Sequence, residues 1–407
     1  MTMSELLPEL LAQATALPAA RPLLACLPNA PRVYLVGGAV RDLLLGGAPI
    51  DLDLAVEGDA AAFAASLGGR LKVHDRFGTS TVRLDGFTYD IARTRRETYA
   101  HPGALPDVVP APLAEDLHRR DFTVNAIALG LAGDAAGELT SAPAALDDLH
   151  ARRLRVLHDR SFIDDPTRLL RLVRYATRLG FEIEAHTRAL ADDAISGGAL
   201  GTVSGSRIGA ELRLLAREPD PVRALRGLRE LGLDAAIDPG FGLDDEDLAR
   251  RALALLPVDA RRDRLALAVA ARGVPGPELA ELLDALAFEA EDRDAIVAAA
   301  TRAGEVARAL ATAHAPSEIA AAVGGAPPEV VALAGALGAK PQAREWLDNL
   351  RGVRLEIDGR DLLAAGVPQG PAIGRGLRAA LAAKLDRRAS GREQELAQAL
   401  DAAGASE

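Results

Sequence analysis

The stretch GGAVRDLLLGGAPIDLDLAVEGD, at residues 37–59, decides the fold that we expect for this chain. Residues 33–36 before it, Val-Tyr-Leu-Val, form a short apolar run that is typical of a buried strand. The paired glycines that open the stretch predict a turn, and residues 39–45 predict a helix that Gly46 and Gly47 end. Residues 51–56 then alternate carboxylate and aliphatic side chains, which predicts a second strand.

Asp51 and Asp53 are the first candidate site residues. Because side chains alternate between the two faces of a strand, both carboxylates lie on one face. Two carboxylates so placed can bind Mg²⁺, and the ions of two-metal phosphoryl-transfer sites lie about 3.5–4 Å apart. The free N–H groups of the Gly37-Gly38 turn, at a helix start, can hold a triphosphate that Arg41 also reaches. Alternating aspartates can equally be the polar face of a half-buried strand, while a dinucleotide-binding fold fits poorly because no Gly-x-Gly-x-x-Gly follows the first strand.

The surrounding sequence extends this pattern. Residues 79–84 and 87–92 predict a hairpin that turns at Asp85-Gly86. Asp90 lies in its second strand, which we expect to neighbour the strand of Asp51 and Asp53, so Asp90 is the candidate third carboxylate; a structural role stays open. Beyond about residue 150 the chain is rich in Ala and Leu with arginines on polar faces, which predicts helices almost throughout. Helix breaks are expected at residues 273–277, 324–328 and 366–371.

Length and composition narrow the class of protein. A chain of 407 residues exceeds the ~250–300 residues of one core, so more than one domain is expected. Hydrophobic residues at 49% and charged residues at 26% indicate a globular protein, and no apolar run approaches the ~18 residues of a membrane helix. The one cysteine, Cys26, excludes an internal disulfide, and the cytoplasm is the expected location. A net charge of −11 argues against coating nucleic acid over the whole surface but permits a local basic patch.

The stretch at residues 37–59 resembles the head of the nucleotidyltransferases related to DNA polymerase β. Within that superfamily it resembles the class II tRNA nucleotidyltransferases (CCA-adding enzymes) and the poly(A) polymerases. Further segments match motifs of this family in order along the chain: HRRDFTVNAIAL at residues 118–129, LDDLHARRLRVL at 146–157, DDPTRLLRLVRYATRLGF at 164–181 and DGRDLLAAGVPQGPAIGRGL at 358–377. The match runs from about residue 31 to about residue 390, so it covers most of the sequence.

The resemblance implies a role for each matched residue. Asp51 and Asp53 would hold Mg²⁺, with Asp90 as the third catalytic acid. The residues implied to bind the nucleotide are Gly37, Gly38, Arg41, Arg120, Asp121, Asn125, Asp165, Arg168, Arg171 and Arg174. Among these, Arg120, Asp121 and Asn125 would fix the ribose side.

Asp165 and Arg168 are implied to read the base. They recur with Arg171 and Arg174 at intervals of three residues, so neighbouring members share a helix face, and Pro166 after an aspartate is typical of a helix start. A carboxylate accepts a hydrogen bond from the amino group that cytosine and adenine both carry, and a guanidinium donates to a ring nitrogen or carbonyl. A solvated face of arginines in ion pairs is the alternative interpretation of the helix.

The sequence also departs from the family pattern. Asp164 stands where the family has Glu, and its shorter side chain could loosen the alignment of the base-reading residues. Residues 140–143, Thr-Ser-Ala-Pro, replace the usual Asp-Pro turn and glycine of the hinge motif. The loop at about residues 93–112 is present, which argues against an enzyme that adds only CC.

Gly370 and Gly374 are candidate RNA-binding residues. They lie near an expected helix start, where backbone N–H groups can hold an RNA phosphate, although turn formation explains them equally well. The resemblance implies that the tail and the arginines of the neck hold the tRNA elbow through backbone contacts, because duplex RNA is recognised mainly by shape and phosphates. No obligate protein partner is evident.

We therefore predict an α+β protein, in which a small polymerase-β-like α/β head precedes an all-α neck, body and tail. The expected segments are a helical lead-in at 1–30, the head at 31–150, the neck at 151–215, the body at 216–330 and the tail at 331–407. The expected activity is addition of CMP and AMP from CTP and ATP to the tRNA 3′ end. Addition of A alone and poly(A) synthesis remain alternatives within the family, and a non-catalytic RNA-binding relative remains one outside it. An antibiotic-modifying nucleotidyltransferase would share Asp51 and Asp53 but not the helical length or the later motifs.

Overall fold

The computed structural model describes residues 3–74 and 78–404, which form two compact units, Met1–Ser204 and Gly205–Glu407. The first unit combines a sheet with helices, and within its described residues the second unit contains helices without strands. This agrees with the predicted α+β class. The finer division into five segments stays a prediction.

The strands of the first unit are β1 Arg32–Val36, β2 Leu52–Glu57, β3 Arg70–His74, β4 Thr79–Leu84, β5 Phe87–Arg93, β6 Arg95–Thr98, β7 Asp107–Pro110, β8 Ile127–Ala132, β9 Leu139–Ser141, β10 Arg153–Leu154 and β11 Glu182–Ile183. Its α-helices are α1 Met3–Ala16, α2 Arg21–Leu24, α3 Gly38–Leu44, α4 Ala60–Ser66, α5 Leu113–His118, α6 Ala145–His150, α7 Ser161–Asp164, α8 Thr167–Leu179 and α9 Ala185–Ser196. Short 3₁₀ helices lie at Pro18–Ala20, Leu27–Asn29, Thr123–Asn125, Gly133–Ala135 and Ala199–Thr202.

The main sheet of the first unit has the strand order β3-β4-β5-β2-β1-β8-β9. Strands β2 and β5 are parallel, and the other neighbours in this sheet are antiparallel. β1 lies inside the sheet, which explains why Val33, Tyr34, Leu35 and Val36 are all buried. The predicted hairpin is confirmed: β4 and β5 pair as far as Leu84 and Phe87, and the two residues between them have positive φ, as a type I′ turn requires.

Two regions of the first unit differ from the sequence-based expectation. The segment of residues 93–112, expected to be a loop, contains the antiparallel pair β6–β7. Beyond residue 150, where helices were expected almost throughout, β10 and β11 form a short parallel pair. Both pairs lie outside the main sheet and are two or four residues long, so their apolar alternation is too brief to stand out in the sequence.

The second unit is built from α10 Gly205–Ala216, α11 Pro221–Leu231, α12 Leu233–Ile237, α13 Glu246–Leu255, α14 Arg262–Ala270, α15 Gly276–Ala285, α16 Ala290–Ala311, α17 Pro316–Val323, α18 Pro328–Ala334, α19 Lys340–Glu345, α20 Gly359–Ala364, α21 Pro371–Leu385 and α22 Arg392–Gly404. π-Helical segments, Gly335–Ala339 and Trp346–Leu350, follow α18 and α19. The three expected helix breaks fall between α14 and α15, α17 and α18, and α20 and α21.

Membrane-spanning helices were also sought among the described residues. No single helix is both long and apolar enough to cross a bilayer. One pair, Pro316–Val323 and Pro328–Leu350, meets the length and composition limits only when its two members, bent by 111°, are counted together.

Candidate active site

Three aspartates line one end of the β2–β5 strand pair. Asp53 stands directly opposite Asp90 in the parallel register, so the two side chains leave the same face of the sheet. Asp51 lies two residues before Asp53, immediately ahead of β2, and shares its exposure to solvent. Thr81 of the adjacent β4 donates a hydrogen bond to Asp90 with an Oγ1–Oδ1 distance of 2.7 Å. The expectation that the strand of Asp90 neighbours that of Asp53 is confirmed.

Asp53 has a pKa that is shifted by its neighbours. Its side chain is accessible to solvent, yet the surrounding protein removes enough water to raise its pKa, and the nearby carboxylates of Asp90 and Asp51 add to the rise. The guanidinium groups of Arg120 and Arg171 act in the opposite direction. Carboxylates that repel one another in this way favour a bound cation, which would relieve the repulsion.

The turn before α3 lies beside these acids. Gly37 has φ +67°, and its N–H donates to the carbonyl of Ile127 in β8 at 3.1 Å. A Cβ atom on Gly37 would lie 3.0 Å from Nη1 of Arg120, so a side chain there would both strain the backbone and displace that arginine. Gly38 begins α3, where unsatisfied backbone N–H groups suit a phosphate.

Arg41 lies beneath this turn and not in open space. It is only 2% exposed, and its guanidinium donates to Asn125 Oδ1 at 2.6 Å and to Asp42 Oδ1 at 2.7 and 2.8 Å. A Cβ on Gly38 would lie 3.4 Å from Nη2 of Arg41. This position suits support of the turn better than the predicted direct contact with a phosphate.

Asp121 is hydrogen-bonded to two other expected nucleotide-binding residues, Asn125 and Arg171. One carboxylate oxygen accepts from Asn125 Nδ2 at 3.0 Å and from the Phe122 backbone at 2.8 Å, and the other accepts two bonds from Arg171 at 2.6 and 2.9 Å. Burial acts to raise the pKa of Asp121, but Arg171 and the bond from Asn125 outweigh it and lower the pKa to about 2. Asp121 is therefore a fixed anion that orients Arg171 and Asn125.

Of the arginines in this part of the site, Arg120 is the one best placed to bind a ligand. Its Nη2 donates to Asp116 Oδ2 at 3.0 Å, while its buried Nε has no hydrogen-bond partner. A buried donor without an acceptor is costly. The atom of Arg120 next to Gly37 is Nη1, and it can donate to an anionic ligand bound at that turn. Asp116 also accepts from Arg119, at 2.7 and 2.9 Å, so this carboxylate on α5 positions both arginines. Sequence reasoning missed Asp116, although its spacing of three and four residues from the two arginines was visible.

Asp165 and Arg168 lie at the start of α8. Asp165 Oδ1 accepts from the backbone N–H and hydroxyl of Thr167, at 3.1 and 2.6 Å, and so caps the helix. Helix α8 begins one residue later than Pro166 would suggest. Arg168 is 5% exposed and donates to Ser161 Oγ at 2.7 Å and to the carbonyl of Arg119 at 2.6 Å. Both residues are thus held in place before any ligand binds.

Arg171 and Arg174 extend from the same helix towards one aromatic ring. Their guanidinium carbons lie 5.6 and 4.9 Å from the ring centre of Tyr175, and that of Arg41 lies 5.4 Å from it. Sequence reasoning did not single out Tyr175, because its contact with Arg41 joins α8 to a helix more than a hundred residues earlier.

The β6–β7 hairpin is tied to the neck segment. The N–H of Gly103, in the connection between its strands, donates to the carbonyl of Ile163 at 3.2 Å. Glu97 on β6 accepts from Arg119 at 3.0 Å and from the Tyr99 hydroxyl at 3.0 Å. Burial and the Glu97 carboxylate raise the pKa of Tyr99, so Tyr99 remains a hydrogen-bond donor at neutral pH.

Gly370 and Gly374 belong to the second unit, whereas the site residues described so far belong to the first. Gly370 has φ +154° and precedes Pro371, the first residue of α21. A Cβ on Gly374 would lie 3.3 Å from Nη1 of Arg378, one turn further along that helix. Arg375 and Arg378 are both exposed, so the start of α21 carries positive charge at the surface.

The aspartate group fits a divalent cation in part. Oxygen donors suit hard cations such as Mg²⁺, which is commonly held by one or two carboxylates with substrate phosphates and water completing the shell. Within residues 3–74 and 78–404, no three or more His, Cys, Asp or Glu side chains form a complete metal cage. Asp51 and Asp53 would therefore need oxygen ligands from a substrate.

Comparison with known proteins places this geometry in a family. Residues 33–155 match the model of the poly A polymerase head domain. The chain is 36% identical over 368 residues to a CC-adding tRNA nucleotidyltransferase of Deinococcus radiodurans, covering 84% of this chain and 82% of that protein. It is 44% identical over 216 residues to an A-adding tRNA nucleotidyltransferase of Geobacter sulfurreducens, covering 52% of this chain and 24% of that protein.

The solved structure of a CCA-adding enzyme with CTP is also similar, with a TM-score of 0.77 and 26% identity, and the match covers 97% of this chain and 98% of that one. The chain spans about a quarter to a half of the length of the A-adding relatives that it matches. The match to the Deinococcus protein extends over most of both chains. With the head-domain match and the similar structure, it shows that the chain belongs to the class II tRNA nucleotidyltransferases.

Proposed function

We propose that this protein adds CMP and AMP, taken from CTP and ATP, to the 3′ end of tRNA and releases pyrophosphate. The observation that carries the proposal is the position of Asp51, Asp53 and Asp90 at one end of the β2–β5 strand pair, beside the Gly37 turn and Nη1 of Arg120. The three aspartates favour a bound metal ion, and the nearby N–H donors favour phosphate oxygens. Nucleotidyl transfer from a nucleoside triphosphate needs both kinds of group at one site.

We assign the metal ion to Mg²⁺, held by Asp51 and Asp53. When bound, it supplies charge stabilisation for the phosphates and lowers the pKa of the attacking 3′-hydroxyl. Asp90 adds negative charge next to Asp53, and its bond from Thr81 keeps its carboxylate on the side of the metal-binding pair. The role of Asp90 as a catalytic acid rests on this proximity.

The remaining residues act on the nucleotide. The N–H groups at the Gly37-Gly38 turn and Arg120 donate to the triphosphate, while Arg41 supports the turn from below. Asp121 holds Asn125 and Arg171 ready for the sugar and phosphate side. These donors are hydrogen-bonded in place before ligand arrives, which lowers the cost of ordering them on binding.

Base choice is assigned to Asp165 and Arg168. Arg168 is fixed by Ser161 and by the backbone of Arg119, so it can present its remaining N–H groups in one geometry. A fixed donor beside a carboxylate accepts cytosine or adenine and leaves unpaired groups with uracil or guanine, and this selects against the latter pair. Contacts to the tRNA backbone are assigned to Gly370, Gly374 and the exposed arginines of α21.

Addition of CC alone is the second candidate, because a relative that matches 84% of the chain is a CC-adding enzyme. One experiment separates the candidates: three tRNAs that end before CCA, after C and after CC are each given CTP and ATP together, with one of the two nucleotides labelled. Extension of all three to CCA supports the proposal. Incorporation of C alone, of A alone on the last tRNA, or of a long A tail would assign CC-adding, A-adding or poly(A) activity instead. The Asp53→Asn variant is the control, and no incorporation by the parent protein would contradict the whole assignment.

A further inference from the structure

Tyr175 lies where two parts of the proposed nucleotide site meet. Its ring is within 5.4 Å of the guanidinium carbon of Arg41 on α3 and within 5.6 and 4.9 Å of those of Arg171 and Arg174 on its own helix. All three distances fall inside the roughly 6 Å over which a cation is attracted to an aromatic face. Phe122 packs edge-on against the ring, with centroids 5.9 Å apart and an interplanar angle of 80°.

The ring closes a circuit of contacts between α3 and α8. Arg41 donates to Asn125, Asn125 donates to Asp121, and Asp121 accepts from Arg171. Arg171 in turn lies against Tyr175, as does Arg41. Every contact in the circuit is made by a side chain, so loss of the ring would remove one of the two described paths between Arg41 and Arg171 and leave the path through Asn125 and Asp121.

The ring of Tyr175 lies among three positively charged guanidinium groups. Three cations that approach one point repel each other, and two of them, Arg41 and Arg174, are at most 7% exposed, so water screens them little. An aromatic ring between them offers attraction without adding a competing hydrogen-bond acceptor. A leucine, which is smaller and carries no π face, would leave the repulsion.

We propose that Tyr175 is a positioning residue that fixes Arg41 and Arg171 relative to each other, and so aligns the triphosphate end of the site with the base-reading helix. The proposal rests on nucleotidyl transfer as the proposed function. The phenol oxygen has a minor part, since its bond from Arg171 is long at 3.4 Å. The aromatic ring is the part that acts.

The first test compares Tyr175→Phe with Tyr175→Leu. Phe keeps the ring, so KM for CTP and ATP should stay within about twofold of the parent value. Leu should raise KM for both nucleotides by about 5- to 30-fold, which corresponds to the loss of one or two cation–π contacts, with a smaller effect on kcat. Equal effects of Phe and Leu, or no effect of Leu, would overturn the proposal.

A second test removes the electrostatics of the ring and keeps its shape. Phenylalanine, difluorophenylalanine and trifluorophenylalanine are placed at position 175, because fluorine withdraws charge from the ring face. Nucleotide affinity, measured by equilibrium dialysis with labelled CTP, should fall stepwise along the series while the Tm stays constant. Unchanged affinity across the series would show that the ring serves only for packing.

The chain offers a matched control in its second unit. Arg213 lies 4.8 Å from the ring centre of Phe288, a contact of the same kind outside the nucleotide site. The same fluorinated series at position 288 should leave CTP affinity unchanged. The parent protein is measured in parallel: if it binds neither CTP nor ATP, the proposed function fails, whereas loss of affinity at position 288 as well as at 175 contradicts the role of Tyr175 specifically.

Discussion

Asp53 of β2 stands directly opposite Asp90 of β5, across the parallel strand pair of the main sheet. Parallel pairing brings the two carboxylates to the same face, and the charge of Asp90 raises the free energy of ionising Asp53. The pKa of Asp53 is accordingly raised, with burial as the largest cause and the charge of Asp90 as the next. Because repulsion between the carboxylates raises the free energy of ionising Asp53, a bound cation would stabilise the ionised site.

Replacement of Asp51 or Asp53 by Ala should abolish nucleotide addition and leave tRNA binding intact. The rate of the chemical step should fall by about four orders of magnitude or more, because metal-assisted phosphoryl transfer supplies much of the barrier lowering. Single-turnover incorporation of labelled CMP measures it. Asp192→Ala, which removes an exposed acid on α9 paired with Arg188, is the control. Activity of either site variant within tenfold of the parent would contradict the assignment.

As the pH is lowered, divalent-metal affinity should begin to fall at a higher pH than it would at a site whose aspartates have ordinary pKa values. The raised pKa of Asp53 means that protons compete with the metal ion before the carboxylate would normally titrate. Titration with Mn²⁺, followed by electron paramagnetic resonance at a series of pH values from neutral downward, gives the affinity. In Asp90→Asn, one like charge is removed, so the acid-induced loss should move to lower pH. A pH-independent affinity in the parent protein would contradict this account of the site.

Much of this arrangement was predictable because its signals are local. The alternation of residues 51–56 set both aspartates on one face, and the Asp85-Gly86 turn set the β4–β5 hairpin that carries Asp90. By contrast, β8 was not identified as a strand. Its residues Ile127, Ala128 and Leu129 are buried without alternation, since β8 lies inside the sheet, and a short apolar run does not distinguish a strand from a helix.

Contacts between distant segments could not be predicted. Arg41 was expected to reach a phosphate, whereas its partners Asn125 and Tyr175 bury it under the turn. Sequence spacing places a side chain on the correct face of its own helix but says nothing about what packs on that face. The same reason explains why Ser161, which fixes Arg168 from another helix, had no visible signal.

Arg168→Ala should relax base choice more than it weakens triphosphate affinity. The substitution removes the donor that Ser161 and the Arg119 carbonyl hold in place, and a lost hydrogen bond to a charged group costs about 1.5–3 kcal/mol. Competition assays with all four nucleoside triphosphates measure the ratio of correct to incorrect incorporation. Arg178→Ala, an exposed arginine of the same helix, is the control. If Arg168→Ala still rejects UTP and GTP as well as the parent does, base reading belongs to another residue.

Asp121→Asn should cost stability in a pH-dependent way. The pKa of Asp121 is lowered to about 2 in the folded protein, from an ordinary value of 3.8, so its ionised form stabilises the fold above pH 3.8. That contribution, about 2 kcal/mol, is lost as the pH falls from about 4 to about 2. Urea unfolding should therefore show a stability gap between parent and variant that is full at pH 7 and narrows below pH 4.

A matched aspartate in the second unit separates stability from nucleotide binding. The pKa of Asp263 is also lowered to about 2, because bonds from Arg261 and Arg217 outweigh the effect of burial. Asp263→Asn should show the same narrowing gap but keep the parent affinity for CTP, whereas Asp121→Asn should lose affinity because Arg171 and Asn125 lose their anchor. A gap for Asp121→Asn that does not change with pH would contradict the coupling of Asp121 to Arg171.

Removal of the tail should weaken tRNA binding and leave CTP and ATP binding nearly unchanged, since every residue proposed to bind the nucleotide lies in the first unit. Truncation at residue 340 would cut the helical run from Pro328 to Leu350. The truncated protein should therefore end at Arg354. Residues beyond it form a hydrophobic cluster of their own around Leu362, Ala380 and Ala399, and can be removed as a unit. Because the cut also breaks bonds between Ser317 and Asp386, circular dichroism must first show that the rest folds.

Point variants of the full-length protein test tRNA binding by the tail without truncation. Arg375→Ala and Arg378→Ala remove two exposed charges next to Gly374 on α21. Removal of one bond to a phosphate should reduce the slope of log affinity against log salt by up to about one unit, so the double variant should lower the slope by at most about two. Arg360→Ala, whose charge is already paired with Asp358, is the control. Since a protein of net charge −11 must concentrate its phosphate-binding groups in a few places, an unchanged salt slope in the double variant would show that α21 does not hold tRNA.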